Sequence, residues 1–374
     1  MRVFERHETT RAMGGAILLN AIGMHILRSY GASTDGMRTI DTTEFRRYDG
    51  RPRVKWRVDQ ELVEQSGSTG WISGTMRSDV YARILKTIPD GVIVNGKELV
   101  RLDDRGDEVI LYFADGTSHV TDLVIGADGI SSPVREQLWG HAELKNVGIT
   151  VYLGWAEYPN SAIDAMICHH DDKYQLGYAP LTFQGKDCVE WWFVEKTDET
   201  VPPPTDLMAH VLKRTKRFAE PVPAFLAATD PDHGVFRWVV KYKDPLPAWS
   251  RGRVTLLGDA AHPTSPYAGY GAGMAIEDGF FLGRFLAGKD LANLDEVGSA
   301  LRAYDDERVT YTNNVVEFAR SVGDMFHAWP WLRRRVRDFA LDHTKGPQKQ
   351  MSEGFSAEAQ TLLAAILASE SMPA

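Results

Sequence analysis

The segment from Arg253 to Gly279 contains the most informative combination of residue types in this sequence. An apolar run at 254–257 has the composition of a buried parallel strand, and it ends at Gly258 and Asp259. The loop that follows holds prolines and closely spaced glycines, namely Pro263, Pro266, Gly269, Gly271 and Gly273. Apolar residues then recur at helical spacing. A carboxylate accepts hydrogen bonds from hydroxyls and helix N-terminal amides bind anions, so the pattern predicts a site for a hydroxyl-rich, anionic ligand.

A second segment, Asp122 to Arg135, repeats this order of elements. Its apolar strand ends in Gly-Ala-Asp128-Gly129, and a serine cap followed by Pro133 predicts the start of the next helix. Two strands that each end in Gly and Asp before a helix predict one ligand site assembled from separated parts of the chain.

Together the two segments resemble the class A FAD-dependent monooxygenases, the p-hydroxybenzoate hydroxylase-like family, and within it the salicylate-hydroxylase-like branch. The family's GADGxxSxVR motif matches 126–135, and its GDAAHPxxPxxGxGxxxAIED motif matches 258–278. The resemblance implies that Asp259 holds the FAD ribityl chain. It also implies that Asp128 and Gly129 lie near the pyrophosphate and help to organise FAD and NAD(P)H.

Two further positions fit the same family. Glu5 resembles the acid that ends the second strand and binds the adenosine ribose, and Arg77 resembles the arginine that opens a helix and reaches FAD. Without the resemblance, exposed charge is the ordinary interpretation of both residues. We expect Glu5, Arg77 and Asp128 to converge on one face of a lobe. The full set of predicted cofactor-binding residues is Glu5, Arg77, Asp128, Gly129, Gly258, Asp259, Pro266, Gly269, Gly271 and Gly273.

The phosphate-binding loop of a dinucleotide fold has no counterpart in this sequence. The ribose-binding acid normally lies about 20 residues after the GxGxxG loop, whereas four residues precede Glu5. We therefore expect the first strand, glycine loop and helix to be missing, through a mis-assigned start or clipping. Their amides would hold the pyrophosphate, so their loss predicts weakened FAD binding and exposed strand edges.

The resemblance also implies a reaction. NAD(P)H would reduce FAD, O2 would add at the flavin C4a position, and the hydroperoxide would hydroxylate or epoxidise an aromatic or polyketide-like small molecule. Two alternatives remain open from the sequence. One is a flavin oxidoreductase of the same fold without oxygen transfer. The other is a truncated, FAD-poor remnant without catalytic activity.

Candidate substrate-contacting residues lie on the aromatic strands between 149 and 242. We predict that Tyr178 orients or deprotonates a phenol and that Arg237 pairs with a carboxylate. Tyr152, Trp155 and Trp191 are weaker candidates. Since alternate side chains of a strand point to opposite faces, the sequence does not decide which of them face a ligand.

Composition limits the range of functions. The 374 residues carry a net charge of −9 and a pI near 5.7, which argues against nucleic acid as a partner. We interpret Cys168 and Cys188 as free buried thiols, the patch at 168–172 as an exposed turn without a metal, and the basic run at 333–337 as a solvated helix face. The absence of a long apolar run predicts no membrane span. The low number of cysteines fits a reducing compartment, and we expect a cytoplasmic protein that is a monomer or a homodimer.

The order of predicted elements indicates the fold class. Paired strands over 38–60 turn at Asp49-Gly50, aromatic strands fill 149–194, helices are predicted at 78–87, 205–218 and 297–340, and a short helix at 357–367 lies in a loosely attached tail.

We therefore predict an α/β fold. An FAD-binding Rossmann-like lobe, without its first β-α unit, would carry an inserted mixed or antiparallel β-sheet substrate lobe and C-terminal helices. The predicted division is 1–37, 76–140 and 248–340 for the FAD-binding lobe, 38–75 and 141–247 for the substrate lobe, and 341–374 for the tail.

Overall fold

The structure is a computed structural model that describes residues 1–9, 15–197, 200–231 and 235–370. It has the expected α/β class. The start of the loop predicted from Gly14 lies outside the described residues. The strands are β1 (Val3–Phe4), β2 (Ala16–Asn20), β3 (Thr39–Ile40), β4 (Thr42–Arg47), β5 (Pro52–Arg57), β6 (Ile72–Met76), β7 (Ile93–Val94), β8 (Leu99–Asp104), β9 (Val109–Phe113), β10 (Ser118–Thr121), β11 (Val124–Gly126), β12 (Lys145–Glu157), β13 (Ala165–His170), β14 (Gln175–Phe183), β15 (Lys186–Lys196), β16 (Phe236–Tyr242) and β17 (Val254–Leu256).

Helices connect and cover these strands. They are α1 (Ala21–Ser29), α2 (Gln60–Gln65), α3 (Arg77–Leu85), α4 (Pro133–Trp139), α5 (Leu207–Thr215), α6 (Val222–Ala227), α7 (Gly271–Leu286), α8 (Leu294–Gly323), α9 (Trp331–His343) and α10 (Gly346–Glu370). A π-helical turn, Asp324–Ala328, follows α8. Among the described helices, none combines the length and the apolar character needed to cross a bilayer.

A mixed ten-stranded sheet forms the larger β-structure of the described chain, in the order β16-β12-β15-β14-β13-β4-β5. Strand β6 also pairs with β14, and β2 and β3 pair with β6. The predicted hairpin is confirmed, because β4 and β5 pair antiparallel and Gly50 has a φ of +86°. Helices α5 and α6 cover one face of this sheet, where Phe193 and Phe225 belong to a common apolar core.

Short parallel pairs lie on the other side of the molecule. Strand β1 pairs with β7 and β11 pairs with β17, and both pairs are parallel. Phe4 of β1, Val124 of β11 and Leu256 of β17 contribute to the same large apolar core. This core, and not one continuous sheet, joins the parallel strands in the described residues.

The C-terminal segment differs from our prediction of a loosely attached tail. Helix α10 extends over Gly346–Glu370. Its Leu362, Leu363 and Ile366 are buried in the large core, and Glu370 pairs with His25 of α1. The apolar residues at helical spacing therefore mark a face that packs against the rest of the protein, a face that the sequence pattern alone had not matched with a partner.

Truncation of this face should destabilise the protein. Leu363 is 1% exposed, so Leu363→Ala should lower the free energy of unfolding by about 2–5 kcal/mol through lost burial and a cavity. Gln360→Ala, at an exposed position of the same helix, is the control. Urea unfolding measures both, and equal midpoints would show that α10 contributes nothing to the core.

Two surface interpretations are also corrected. The 168–172 patch is not an exposed turn, because Cys168, His169 and His170 lie in β13 and are buried. The basic run is only partly solvated, because Arg337 is 6% exposed and donates to Asp338. His170 contacts Phe326 on one face of the sheet, and His169 contacts Tyr178 and Phe218 on the other. The prediction of free, buried thiols is confirmed for Cys168 and Cys188.

Candidate functional site

Two predicted motifs meet at one edge of the parallel pair formed by β11 and β17. Gly126 is in register with Leu256, so the segments after both strands leave the sheet at the same edge. Asp128 follows one strand and Asp259 follows the other, and the side chains of both are exposed. The carboxyl ends of parallel strands are the usual ligand-binding edge of such sheets.

A buried arginine connects the two motifs. Arg135 is 3% exposed, and its Nη1 donates to the carbonyl oxygens of Ala260 at 3.1 Å and Ala261 at 2.8 Å. Its Nη2 donates to the carbonyl oxygen of Asp244 at 2.6 Å. The last residue of the first motif therefore fixes the backbone of the second, a role that we had not assigned from the sequence.

A buried ion-pair network fixes the position of the second motif. Asp278 accepts from the Gly258 amide at 3.1 Å, lies 2.5 Å from Nε2 of His262 and accepts from Nε of Arg308 at 2.9 Å. Arg308 also donates to Glu277 at 2.8 Å. Burial alone would raise the pKa of Asp278, yet His262 and Arg308 hold it below its usual value. The acids at the end of the motif thus position its loop.

Helix α7 begins directly after the glycine-rich loop. Gly269 adopts a left-handed conformation with φ of +57°, and no side chain caps the helix at Tyr270. A Cβ on Gly273 would lie 2.6 Å from the Tyr270 ring. Glycine is therefore required at 269 for backbone conformation and at 273 for space, and the first amides of α7 are left for a ligand.

Arg77 and Asp259 lie within electrostatic reach of each other. Burial raises the pKa of Asp259, and the nearby charges of His262 and Arg77 act in the opposite direction. Asp259 itself belongs to the exposed residues of the loop. Arg77 is the first residue of α3, as its predicted role required.

Glu5 follows β1, as predicted, and its Oε1 accepts from the amide of His7 at 2.8 Å. Asp128 accepts from the amide of Val134 in the first turn of α4 at 3.1 Å, and Ser132 is the N-cap of that helix. Because β1 and β11 belong to separate sheets in the described residues, their register does not place Glu5 beside Asp128. The convergence of Glu5, Arg77 and Asp128 stays a prediction.

The loop at Pro266 contacts the large sheet through its neighbour Tyr267. The Tyr267 hydroxyl donates to Oε1 of Gln175 at 2.7 Å and lies 2.5 Å from Nε2 of His327. Its ring stacks on Phe326. Phe326 and His327 both belong to the π-helical turn that follows α8. Burial raises the pKa of Tyr267 well above its usual value. The sheet and the glycine loop are therefore in direct contact.

Tyr178 does not face this loop. It is 1% exposed, lies opposite Trp191 in the β14–β15 ladder and packs against Phe225 of α6. Tyr267 packs instead against a cluster that includes Val151 and Val194 of the other face. This placement argues against the predicted role of Tyr178 in contacting a phenol, because the sheet separates the two.

Arg237 lies on the same helix-covered face. It is opposite Tyr152, and the Tyr152 hydroxyl in turn lies near Glu195 and His210 of α5. Arg237 is therefore directed toward the helix-covered side, away from Tyr267. Aromatic residues alternate on both sides of these strands, so the sequence pattern did not show which face Arg237 would take. Its predicted pairing with a carboxylate stays a prediction.

The face directed toward Tyr267 carries a carboxyl group that we did not predict. Glu190 lies opposite Trp155 and Ala179 in the strand ladders, and two residues from Trp192, which packs in the Tyr267 cluster. Glu190 is 5% exposed, and its Oε1 has no hydrogen-bond partner among the described residues. In the sequence, the only signal for this residue was an acidic side chain within an apolar and aromatic strand.

The chemistry of the site fits FAD. Asp259 and the free amides of α7 suit a hydroxyl-rich chain and an electron-rich ring edge. Buried polar atoms next to the loop have no protein partner among the described residues, namely Nδ1 of His262, Oγ1 of Thr264 and Oγ of Ser265. Such unsatisfied groups are expected where a polar ligand belongs.

Comparison with known proteins agrees with this fit. The chain matches the FAD binding domain family over residues 1–319. It is 36% identical over 279 residues to 6-hydroxynicotinate 3-monooxygenase of Pseudomonas fluorescens. This alignment covers 69% of this chain and 65% of that protein. It is 33% identical over 358 residues to the enzyme of the same name from Bordetella bronchiseptica. This second alignment covers 89% of this chain and 86% of that protein.

The fold is also found in solved structures. Klebsiella pneumoniae HpxO complexed with FAD and uric acid superposes with a TM-score of 0.83 at 23% identity, over 96% of this chain and 90% of that one. At this identity the likeness concerns the fold alone. The sequence matches and the paired motifs establish that the chain belongs to the class A FAD-dependent monooxygenases.

Proposed function

We propose that this chain uses NAD(P)H and O2 to hydroxylate or epoxidise an aromatic or polyketide-like small molecule. The observation that carries this proposal is the meeting of Gly258–Asp259, Asp128–Gly129 and the uncapped start of α7 at one edge of the parallel strands. Relatives named for the hydroxylation of hydroxynicotinate and of 3-amino-4-hydroxybenzoate support an aromatic substrate.

Each side chain then has a defined task. Asp259 accepts hydrogen bonds from the ribityl hydroxyls, and the amides of Gly271 and Gly273 stabilise negative charge at the ring edge. Glu5 binds the adenosine ribose, and Arg77 contacts the cofactor from α3. Bound FAD supplies the transfer of electrons from NAD(P)H and of one oxygen atom from O2 to the substrate.

We propose that the site lies between the FAD-binding lobe and the substrate lobe. The large apolar core contains residues from the N-terminal and the C-terminal parts of the sequence. A separate apolar core lies between the ten-stranded sheet and helices α5 and α6. Val58 and Trp71 pack in the large core, so we propose that 58–75 belongs with the FAD-binding lobe. We further propose a cytoplasmic protein that acts as a monomer or homodimer, with O2 and a small aromatic molecule as its reactants.

Oxygen transfer is tested directly with labelled O2. The purified chain, loaded with FAD, should oxidise NADH or NADPH faster when a hydroxylated aromatic is added. Mass spectrometry should then find one ¹⁸O atom in the product. Faster NAD(P)H oxidation with transfer to an artificial acceptor and no ¹⁸O in any product would instead favour a flavin oxidoreductase. A chain that cannot be loaded with FAD would favour the non-catalytic remnant.

A further inference from the structure

We propose that the Glu190 carboxyl group accepts the hydrogen bond and the proton of a hydroxyl on an aromatic substrate that has no carboxylate beside that hydroxyl. This inference rests on the proposed function, and it names the substrate class of the same site. Its first support is the placement of Glu190 between the glycine loop and α3.

Strand geometry fixes the direction of Glu190. Residues directly opposite in an antiparallel pair share a face, as do residues two apart in one strand. Glu190 therefore shares a face with its cross-strand neighbour Trp155 and with Trp192. Trp192 packs with Tyr267, and Trp155 packs beside Met76 at the start of α3. Glu190 thus lies between these two clusters.

The cofactor side of the site is close to this carboxyl group. A Cβ on Gly74 would lie 2.6 Å from Oε1 of Glu190, so glycine is what allows β6 to approach. The positive charge of Arg77 acts to lower the pKa of both Glu190 and Asp259. The positive charge of Arg77 acts against the effect of burial at Glu190. The carboxyl group is therefore connected electrostatically to the residue that follows Gly258.

Burial of a polar group without a hydrogen-bond partner costs free energy unless a ligand supplies that partner. Glu190 is 95% removed from solvent, given its 5% exposure, and its Oε1 is unpartnered among the described residues. Burial raises the pKa of Glu190 to about 8, against the opposing charge of Arg77. A carboxyl group with a pKa near neutrality is suited to exchange a proton with a substrate hydroxyl.

The proton transfer is balanced within the site. The O–H bond of the substrate hydroxyl breaks, an O–H bond forms at Glu190, and the electron pair stays on the substrate oxygen. That oxygen then donates electron density to the ring, which favours attack by the ring on an electrophilic oxygen atom. A substrate carboxylate beside the hydroxyl would place a second negative charge near Glu190, which low-dielectric surroundings disfavour.

The neighbouring side chains favour a flat, apolar ring. Leu153, Trp155 and Trp192 share the face of Glu190. Aromatic side chains bind rings through area burial and offset stacking. One hydrogen-bonding carboxyl group in an apolar wall would orient such a ring by a single hydroxyl.

Equilibrium binding to the FAD-loaded full chain tests the assignment without turnover. The probes are 1-naphthol, 1-methoxynaphthalene, which lacks the donor hydroxyl, and 1-hydroxy-2-naphthoate, which adds a carboxylate. Changes in the visible flavin spectrum report binding. The variants are Glu190→Leu and Glu190→Gln. The control is Glu195→Gln, a glutamate of the same strand that faces α5 and pairs with His210.

Wild type and control should bind 1-naphthol about tenfold more tightly than either other probe, the effect of one hydrogen bond to a charged group. Glu190→Leu should lose the preference over the methyl ether. Glu190→Gln should bind the carboxylated probe more tightly than wild type does. Wild-type affinity for 1-naphthol should rise with pH through the pKa of Glu190 and then level off, and this rise should be absent from Glu190→Gln.

Both variants should remain folded, because each removes a buried carboxyl group whose Oε1 has no hydrogen-bond partner among the described residues. Thermal unfolding checks this. A folded Glu190→Leu that keeps the wild-type preference, or wild-type protein that binds none of the probes, would overturn the role of Glu190. Those results leave oxygen transfer open to its own test. Conversely, the stated binding pattern without ¹⁸O transfer would support Glu190 and overturn the proposed function.

Discussion

Arg308→Met should strongly destabilise the protein. Arg308 pairs with Glu277 and Asp278, and all three side chains are at most 1% exposed. Removal of the shared cation leaves two buried carboxylates close together, a change that costs about 3–5 kcal/mol. Urea unfolding followed by circular dichroism measures the loss.

The matched control is Arg302→Met, an exposed arginine one and a half turns earlier on the same helix. Its unfolding free energy should change by less than about 0.5 kcal/mol, as for ordinary surface positions. The substitution at Arg308 should also weaken FAD retention, because Asp278, which accepts from the Gly258 amide, loses one of the two cationic partners that position it. Equal stabilities of the two variants would refute the role of the network.

Asp259→Ala should remove FAD while leaving the fold intact. The Asp259 side chain is exposed at the end of β17, so its loss removes no core contact. If it accepts hydrogen bonds from the ribityl hydroxyls, those bonds contribute about 1.5–3 kcal/mol, which corresponds to roughly tenfold to a hundredfold weaker FAD binding. Quenching of flavin fluorescence during titration gives the dissociation constant.

Asp306→Ala, at an exposed position of α8, serves as the control and should bind FAD like wild type. Thermal unfolding without FAD should give the same midpoint for both variants and the wild type. Full retention of yellow, stoichiometric flavin by Asp259→Ala would show that the cofactor contacts a different part of the loop.

The buried face of α10 and the exposed face of α9 show how far the fold departs from simple amphipathic patterns. Helix α9 exposes Trp331, Leu332, Val336 and Phe339, while Arg337 on the same helix is buried. The inward arginine is satisfied by Asp338 and by the carbonyl oxygen of Met325 at 2.7 Å. A charged residue can therefore face inward where specific partners meet it, which a hydrophobicity pattern does not reveal.

The sequence by itself determined the family and the local geometry of the glycine motifs. Gly258 and Gly269 have positive φ values of +61° and +57°, and Gly271 begins α7. Asp259 lies three residues after the end of β17. Such features depend on φ values, strand ends and helix starts, which are encoded by neighbouring residues. For that reason the predicted strand, loop and helix agree with β17, the loop and α7.

Only the tertiary structure decided which side chains meet across the site. Arg308 lies 30 residues from Asp278, and Arg135 lies 125 residues from Ala260, so no local pattern joins them. Likewise, Tyr178 and Glu190 sit in equally aromatic strands, and the packing of α6 on one face and Tyr267 on the other decides which is buried away from the loop. Strand periodicity fixes alternation along a strand, whereas the face that meets the cofactor is set by which elements cover the sheet.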